Sequence, residues 1–147
     1  MPAAGCTQAD SMRKLAMAKP AILCVDDEVA VLESLEIELQ QAFNGNYLYE
    51  FAESAAEALE IIDELCEDEV NILVIVSDWL MPGMKGDELL IKIHQKYPQI
   101  VTVMLTGQAE QAAIERTKTQ ANLHAFLQKP WKNNELIEAI ESGLAKL

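Results

Sequence analysis

From Ala21 onward, short apolar runs alternate with amphipathic segments, and the alternation occurs five times. The runs cover residues 21–25, 47–52, 71–77, 100–105 and 123–128. The first, third and fourth are almost unbroken Ile, Leu and Val, the pattern of strands buried on both faces of a parallel sheet. The segments between them carry helical period. Residues 28–43 align Leu32, Leu35, Leu39 and Phe43 on one stripe, and residues 54–66 align Ala55, Ala58, Leu59, Ile62, Leu65 and Cys66 behind Ser54-x-x-Glu57, a capping box. A third helix is predicted from 86 to 97, stopped by Pro98. A fourth, over 109–118, has only Ala109, Ala112, Ala113 and Ile114 to bury and is expected to be the loosest packed. The last, over 133–147, carries Leu136, Ile140, Leu144 and Leu147. Five βα units with right-handed crossovers predict a doubly wound α/β three-layer sandwich, with ligands beyond the carboxyl ends of its strands, where the strand order reverses.

Length and composition fit one such domain. The chain has 147 residues and is 50% hydrophobic, enough for a single core. Residues 1–19 lack period and read as a flexible tail, with a short helical turn near 11–18, and residues 20–147 form the domain. No stretch approaches a membrane span or the apolar run of a signal peptide. Cys6, Cys24 and Cys66 are an odd number at wide spacing, so a reducing, cytoplasmic compartment is expected, with Cys24 and Cys66 buried. The net charge of −13 argues against nucleic acid or anionic lipid as a partner. That charge is uneven: between Lys19 and Lys85 there are 16 carboxylates and no cation. Most of the acidic run at 53–69 suits the solvated face of a helix, or else a docking surface for a basic partner.

The strand ends carry the candidate chemistry. Asp26 and Asp27 follow the first run, Asp78 the third, Thr106 the fourth, and Lys129-Pro130 the fifth. The second run ends in Ala52 and Glu53, which suits an edge strand away from the site. Three carboxylates brought together raise one another's pKa and disfavour folding unless a cation intervenes. Lys129 supplies one charge, worth on the order of 4 kcal/mol against a carboxylate at ~4 Å and an effective dielectric near 20. The remaining excess suits a hard, oxygen-loving ion, Mg²⁺ or Mn²⁺, rather than zinc. With Thr106, the set reads as an in-line phosphoryl-transfer site with a carboxylate nucleophile. Asp26 and Asp27 also suit capping of the first helix. His94 and His124 lack ligand partners at suitable spacing and read as structural.

These residues, in order, resemble the receiver domain of a two-component response regulator: Val25-Asp26-Asp27-Glu28, Ser77-Asp78-Trp79-Leu80-Met81-Pro82-Gly83-Met84-Lys85-Gly86, Leu105-Thr106-Gly107 and Phe126-Leu127-Gln128-Lys129-Pro130-Trp131. The resemblance runs from about Ala21 to the C-terminus. It implies a flavodoxin-like (βα)5 fold with parallel strands ordered 2-1-3-4-5. It implies phosphorelay signalling, with Asp78 accepting a phosphoryl group from a histidine kinase or phosphotransfer protein. Mg²⁺ is then held by Asp27, Asp78 and the Leu80 backbone carbonyl, with Asp26 acting through water. Lys129 pairs with the acceptor, the Lys129-Pro130 peptide is cis, and Thr106 and Phe126 occupy switch positions on a 106–147 face that controls an unidentified output or forms a homodimer. Phe126 stands where Tyr is commoner, leaving it a switch or a core aromatic. Leu80 and Gln108 occupy positions that govern water access, and a bulky apolar Leu80 implies a long-lived phosphoryl state.

Such a domain is not an enzyme beyond its own phosphorylation and dephosphorylation. The alternative is a haloacid-dehalogenase-type phosphatase with an aspartyl-phosphate intermediate. It needs a second acid two residues after the nucleophile, where this chain has Leu80. A flavodoxin-like cofactor module would want a phosphate cradle after the first strand, where Asp26-Asp27-Glu28 repels phosphate.

Overall fold

A computed structural model describes residues 19–107 and 111–147. The expected tail over 1–18 with its helical turn, Cys6, Gln108 and Ala109 lie outside the described residues. Five parallel strands, β1 (Ala21–Val25), β2 (Leu48–Ala52), β3 (Ile72–Asp78), β4 (Val101–Thr106) and β5 (Ala125–Gln128), form one sheet in the order β2-β1-β3-β4-β5. The helices between and after them are α1 (Val29–Phe43), α2 (Ala55–Glu67), α3 (Gly86–Lys96), α4 (Gln111–Gln120) and α5 (Asn133–Leu144). The doubly wound sandwich is therefore present, with β2 at one edge.

The period of two along each strand divides the core into two layers. Ile22, Cys24, Val74, Val76, Val103 and Leu105 face α1 and α5, where they meet Leu32, Leu35, Leu39, Phe43, Leu136 and Ile140. Ala21, Leu23, Val25, Ile75 and Met104 face the other layer, with Ala58, Ile62, Leu89, Leu90 and Ile93 of α2 and α3. Both faces of β1 and β4 are fully covered, which is why their sequences read as continuous apolar runs rather than as alternation. The Ser54 side chain accepts the Glu57 N–H at 3.1 Å. Glu57 reaches back to the Glu53 N–H at 2.6 Å, one residue earlier than the usual reciprocal bond.

Several expectations need correction. Asp78 and Thr106 are the last residues of β3 and β4 rather than the first beyond them, because both stay in register, opposite Leu105 and Gln128. In α4 the buried residues are Ala113, Ile114 and Thr117, whereas Ala112 is exposed. Thr117 tolerates burial because its hydroxyl donates to the Ala113 carbonyl at 2.7 Å. The last helix ends at Leu144, so its stripe stops there and Leu147 is exposed. Cys24 is buried as expected, but Cys66 is exposed. It lies in the last turn of α2, and its thiol donates to the Tyr97 hydroxyl at 3.4 Å.

Gly143 shows how closely α5 lies on β4: a Cβ there would sit 2.6 Å from Cγ1 of Val101, which is itself buried. Gly143→Ala is expected to destabilise the fold by about 1–2 kcal/mol, the overpacking cost less the gain in helix propensity. Chemical denaturation checks this, and the costs of Gly143→Ala and Val101→Ala should be sub-additive, since the smaller Val101 position frees the space.

Candidate functional site

The parallel register brings four strand ends to one level. Val25 pairs with Ser77, so Asp26, the next residue, lies beside Asp78 across the β1–β3 crevice where the strand order reverses. The ladders continue one bond past the strands: Asp26 N–H donates to the Ala52 carbonyl at 3.0 Å and Lys129 N–H to the Thr106 carbonyl at 2.8 Å. Asp26, Asp78 and Thr106 are buried, and Asp27 is exposed. Carboxylate oxygens of Asp26, Asp27 and Asp78 all lie within 4.8 Å of one another.

Lys129 is the counter-charge. Its Nζ donates to Asp26 Oδ2 at 2.7 Å and lies 3.1 Å from Asp78 Oδ1 and 3.6 Å from Glu28 Oε1. The Lys129–Pro130 peptide bond is cis. The second Asp26 oxygen accepts the Glu28 N–H at 2.8 Å, an Asx-type turn just ahead of α1, so Asp26 shapes the helix entry as well as facing Lys129. Burial, then the Asp26 charge, push the Asp78 carboxyl up to about 6, with Lys129 opposing the rise and Asp27 adding to it. Burial works against the Lys129 ammonium, but its hydrogen bonds to Asp26 and Asp78 outweigh that penalty and raise its pKa. One ammonium among three clustered carboxylates leaves the crevice negative. Hard oxygen donors with excess negative charge fit a divalent cation of the Mg²⁺ class.

The loop after Asp78 is held by close backbone packing. Gly86 N–H donates to the Trp79 carbonyl at 2.8 Å. A Cβ at Gly86 would stand 2.0 Å from the Asp78 carbonyl oxygen, so only glycine fits. Asp78 does not cap α3, which begins eight residues later behind Lys85. An open cleft of about 640 Å³ leads to the cluster, lined by Asp27, Glu28, Asp78, Leu80, Met81, Pro82, Gly107 and Lys129. Leu80 is 59% exposed at its mouth, and the position offers no second acid.

Phe126 is not a core aromatic: it is 43% exposed, with Lys118 Nζ 5.3 Å above its ring. Neither histidine joins the site. His124 Nε2 lies 3.1 Å from the Ala139 carbonyl and 2.8 Å from Ser142 Oγ, and burial, then Lys146, lower its pKa. Sequence reasoning missed two polar contacts. Trp131 Nε1 donates to Glu38 at 3.0 Å, and Arg116 of α4 pairs with Asp87 of α3, a carboxylate that is 1% exposed. The second had a signal, since Asp87 stands where the apolar stripe of α3 begins. Among the described residues, no helix is long and apolar enough to cross a membrane.

A family model for the response regulator receiver domain matches residues 22–141. The sensor kinase CckA of Brucella abortus is 35% identical over 125 residues, covering 85% of this chain but 12% of that protein. The transcriptional regulatory protein FixJ of Bradyrhizobium diazoefficiens is 31% identical over 127 residues, covering 86% of this chain and 57% of that one. The chain thus spans only part of the curated relatives it matches. A CheY-like receiver domain protein from Methanospirillum hungatei superposes with a TM-score of 0.75 at 31% identity, covering 88% of this chain and 96% of that structure.

The raised Asp78 pKa has a consequence for stability. In the unfolded chain this carboxyl loses its proton near pH 4, but the folded state holds it to about pH 6. Stability therefore falls as pH rises through that window, and the cost persists above it. Without divalent cations, Asp78→Asn is expected to be more stable than wild type at pH 7.5, by roughly 2–3 kcal/mol at most. The difference should vanish below about pH 4. Denaturation in chelator at both pH values checks this, and an equal difference at both would contradict it.

Proposed function

Because the chain belongs to the response regulator receiver family and so serves phosphorelay signalling, we propose that Asp78 is its phosphoryl acceptor and that its state sets the shape of the 106–147 face. The observation that carries this reading is the Lys129 ammonium lying 2.7 Å from Asp26 and 3.1 Å from Asp78 at the sheet's switch point. The donor is a phosphohistidine of a histidine kinase or phosphotransfer protein. An Asp78 oxygen attacks phosphorus, the phosphorus–nitrogen bond breaks, and the imidazole leaves with the electron pair and takes a proton from solvent.

The residues divide the tasks of that transfer. Asp78 is ionised near neutral pH and stands ready as nucleophile at the end of a rigid strand. Lys129 follows the negative charge from the carboxylate to the phosphoryl oxygens. Thr106, buried at the end of β4, is one strand away from Asp78 and suited to meet a third oxygen. Asp27, Asp78 and the Leu80 carbonyl would hold Mg²⁺, with Asp26 acting through water. The bound ion would offset the charge that the donor phosphoryl group brings into an already negative crevice. Leu80 at the cleft mouth shields the product from water, so the phosphoryl state is long-lived. Phe126, outside the core and beneath Lys118, is placed to change position with α4. Dimerisation through the 106–147 face and a cytoplasmic setting fit this role.

Incubation with phosphoramidate and Mg²⁺, followed by intact mass, tests the assignment. Wild type should gain one phosphoryl mass that decays over minutes or longer, and Asp78→Asn should gain none. Lys129→Ala should still accept the group, but without the change in amide exchange over residues 111–120 that wild type shows. No adduct, an adduct that survives Asp78→Asn, or decay within seconds would each count against the corresponding part.

A further inference from the structure

The Asp87–Arg116 pair lies outside the acceptor cluster yet is tied to it through the backbone. Asp87 follows Gly86, whose Cα abuts the Asp78 carbonyl and whose N–H is bonded to Trp79. Its carboxylate is therefore indexed to the acceptor strand within a few bonds. It is 1% exposed, and Arg116 donates to Oδ2, while Oδ1 has no hydrogen-bond partner among the described residues. Arg116 stands on α4, which otherwise buries only Ala113, Ile114 and Thr117. On its other flank, α4 reaches β5 through Lys118 over the Phe126 ring. Two cations thus hold a helix with a small apolar anchor.

A buried carboxylate that loses its only cation is strongly unfavourable, because its charge is left uncompensated. Movement of α4 away from α3 would do that to Asp87. We infer that the Asp87–Arg116 ion pair is a positioning latch that fixes α4 in the unphosphorylated arrangement and sets how readily Asp78 accepts a phosphoryl group. This rests on the reading of Asp78 as acceptor. On this reading the accepting state has α4 displaced, so weakening the latch raises the population of that state, and the observed rate of phosphorylation rises with the competent fraction. The neighbouring cleft of about 300 Å³, lined by Trp79, Lys85, Asp87, Glu88, Ala112 and Arg116 among others, leaves room for Arg116 to swing out. Its side chain is already 48% exposed.

Arg116→Gln and Arg116→Lys test the latch, the second keeping the charge. In the unphosphorylated protein, Arg116→Gln is expected to exchange amides over residues 111–120 roughly five- to tenfold faster, with β1 and β3 unchanged, and to take a phosphoryl group from phosphoramidate faster by a similar factor. Arg116→Lys should restore both in part, and phosphorylation should add little further exchange to Arg116→Gln. Unchanged exchange over 111–120 would overturn the inference. So would an equal rise in every segment, which would make the pair a general support of the fold. If neither wild type nor variants accept a phosphoryl group, the reading of Asp78 fails, while the exchange comparison still decides whether the pair holds α4.

Discussion

The sharing of one ammonium between Asp26 and Asp78 is the interaction on which the rest of the site depends. Taking a carboxylate out of water is costly, and a buried pair is tolerated only when a counter-charge meets it with good geometry. Lys129 meets both at hydrogen-bond distance, yet it balances only one of them. Asp27 adds a third negative charge at the rim. The result is a crevice held together but left electrically incomplete, which is the condition a cation and a phosphoryl group together would satisfy. The raised pKa of Asp78, caused first by burial and next by Asp26, is the same imbalance seen from one residue.

Holding such a cluster in place requires a scaffold that does not yield. The order β2-β1-β3-β4-β5 sets β1 beside β3, and parallel pairing ends them at the same height, so residues 52 positions apart in the chain become neighbours. Lys129 arrives from the far edge of the sheet, guided by its backbone bond to Thr106. β1 and β4 are buried along their whole length between the two helical layers. By contrast α4 is fixed by little apolar burial and by charged contacts at each flank. Firm packing around Asp78 and a lightly anchored helix nearby are what a two-state signalling element needs, since on the proposed reading charge added at the first would be expressed as displacement of the second.

Much of this was legible in the chain because strong, independent signals agreed. The near-continuous apolar runs predicted buried parallel strands, and the polar residues that ended them marked the site. The limits of legibility are equally physical. Periodicity locates a strand but not the last ladder bond, which is why Asp78 and Thr106 fell one residue outside their predicted strands. The α4 stripe takes in Thr117, because a threonine can be buried when its hydroxyl is satisfied within its own helix, whereas periodicity counts it as polar. Cys66 matches an apolar stripe but stands in the last turn of α2, where it is exposed. Phe126 left two readings open, which its exposure beneath Lys118 separates. Asp87 and Arg116 are far apart in sequence, and their pairing follows from how α3 and α4 lie side by side.

The claim that the crevice is one positive charge set among too many negative ones can be tested without any phosphodonor. Divalent cation titrated into wild type and Lys129→Met, followed by calorimetry, reads the imbalance directly. The account predicts one saturable site in wild type, and binding about tenfold tighter once the competing ammonium is removed. Absence of saturable binding, or equal or weaker affinity in Lys129→Met, would contradict it.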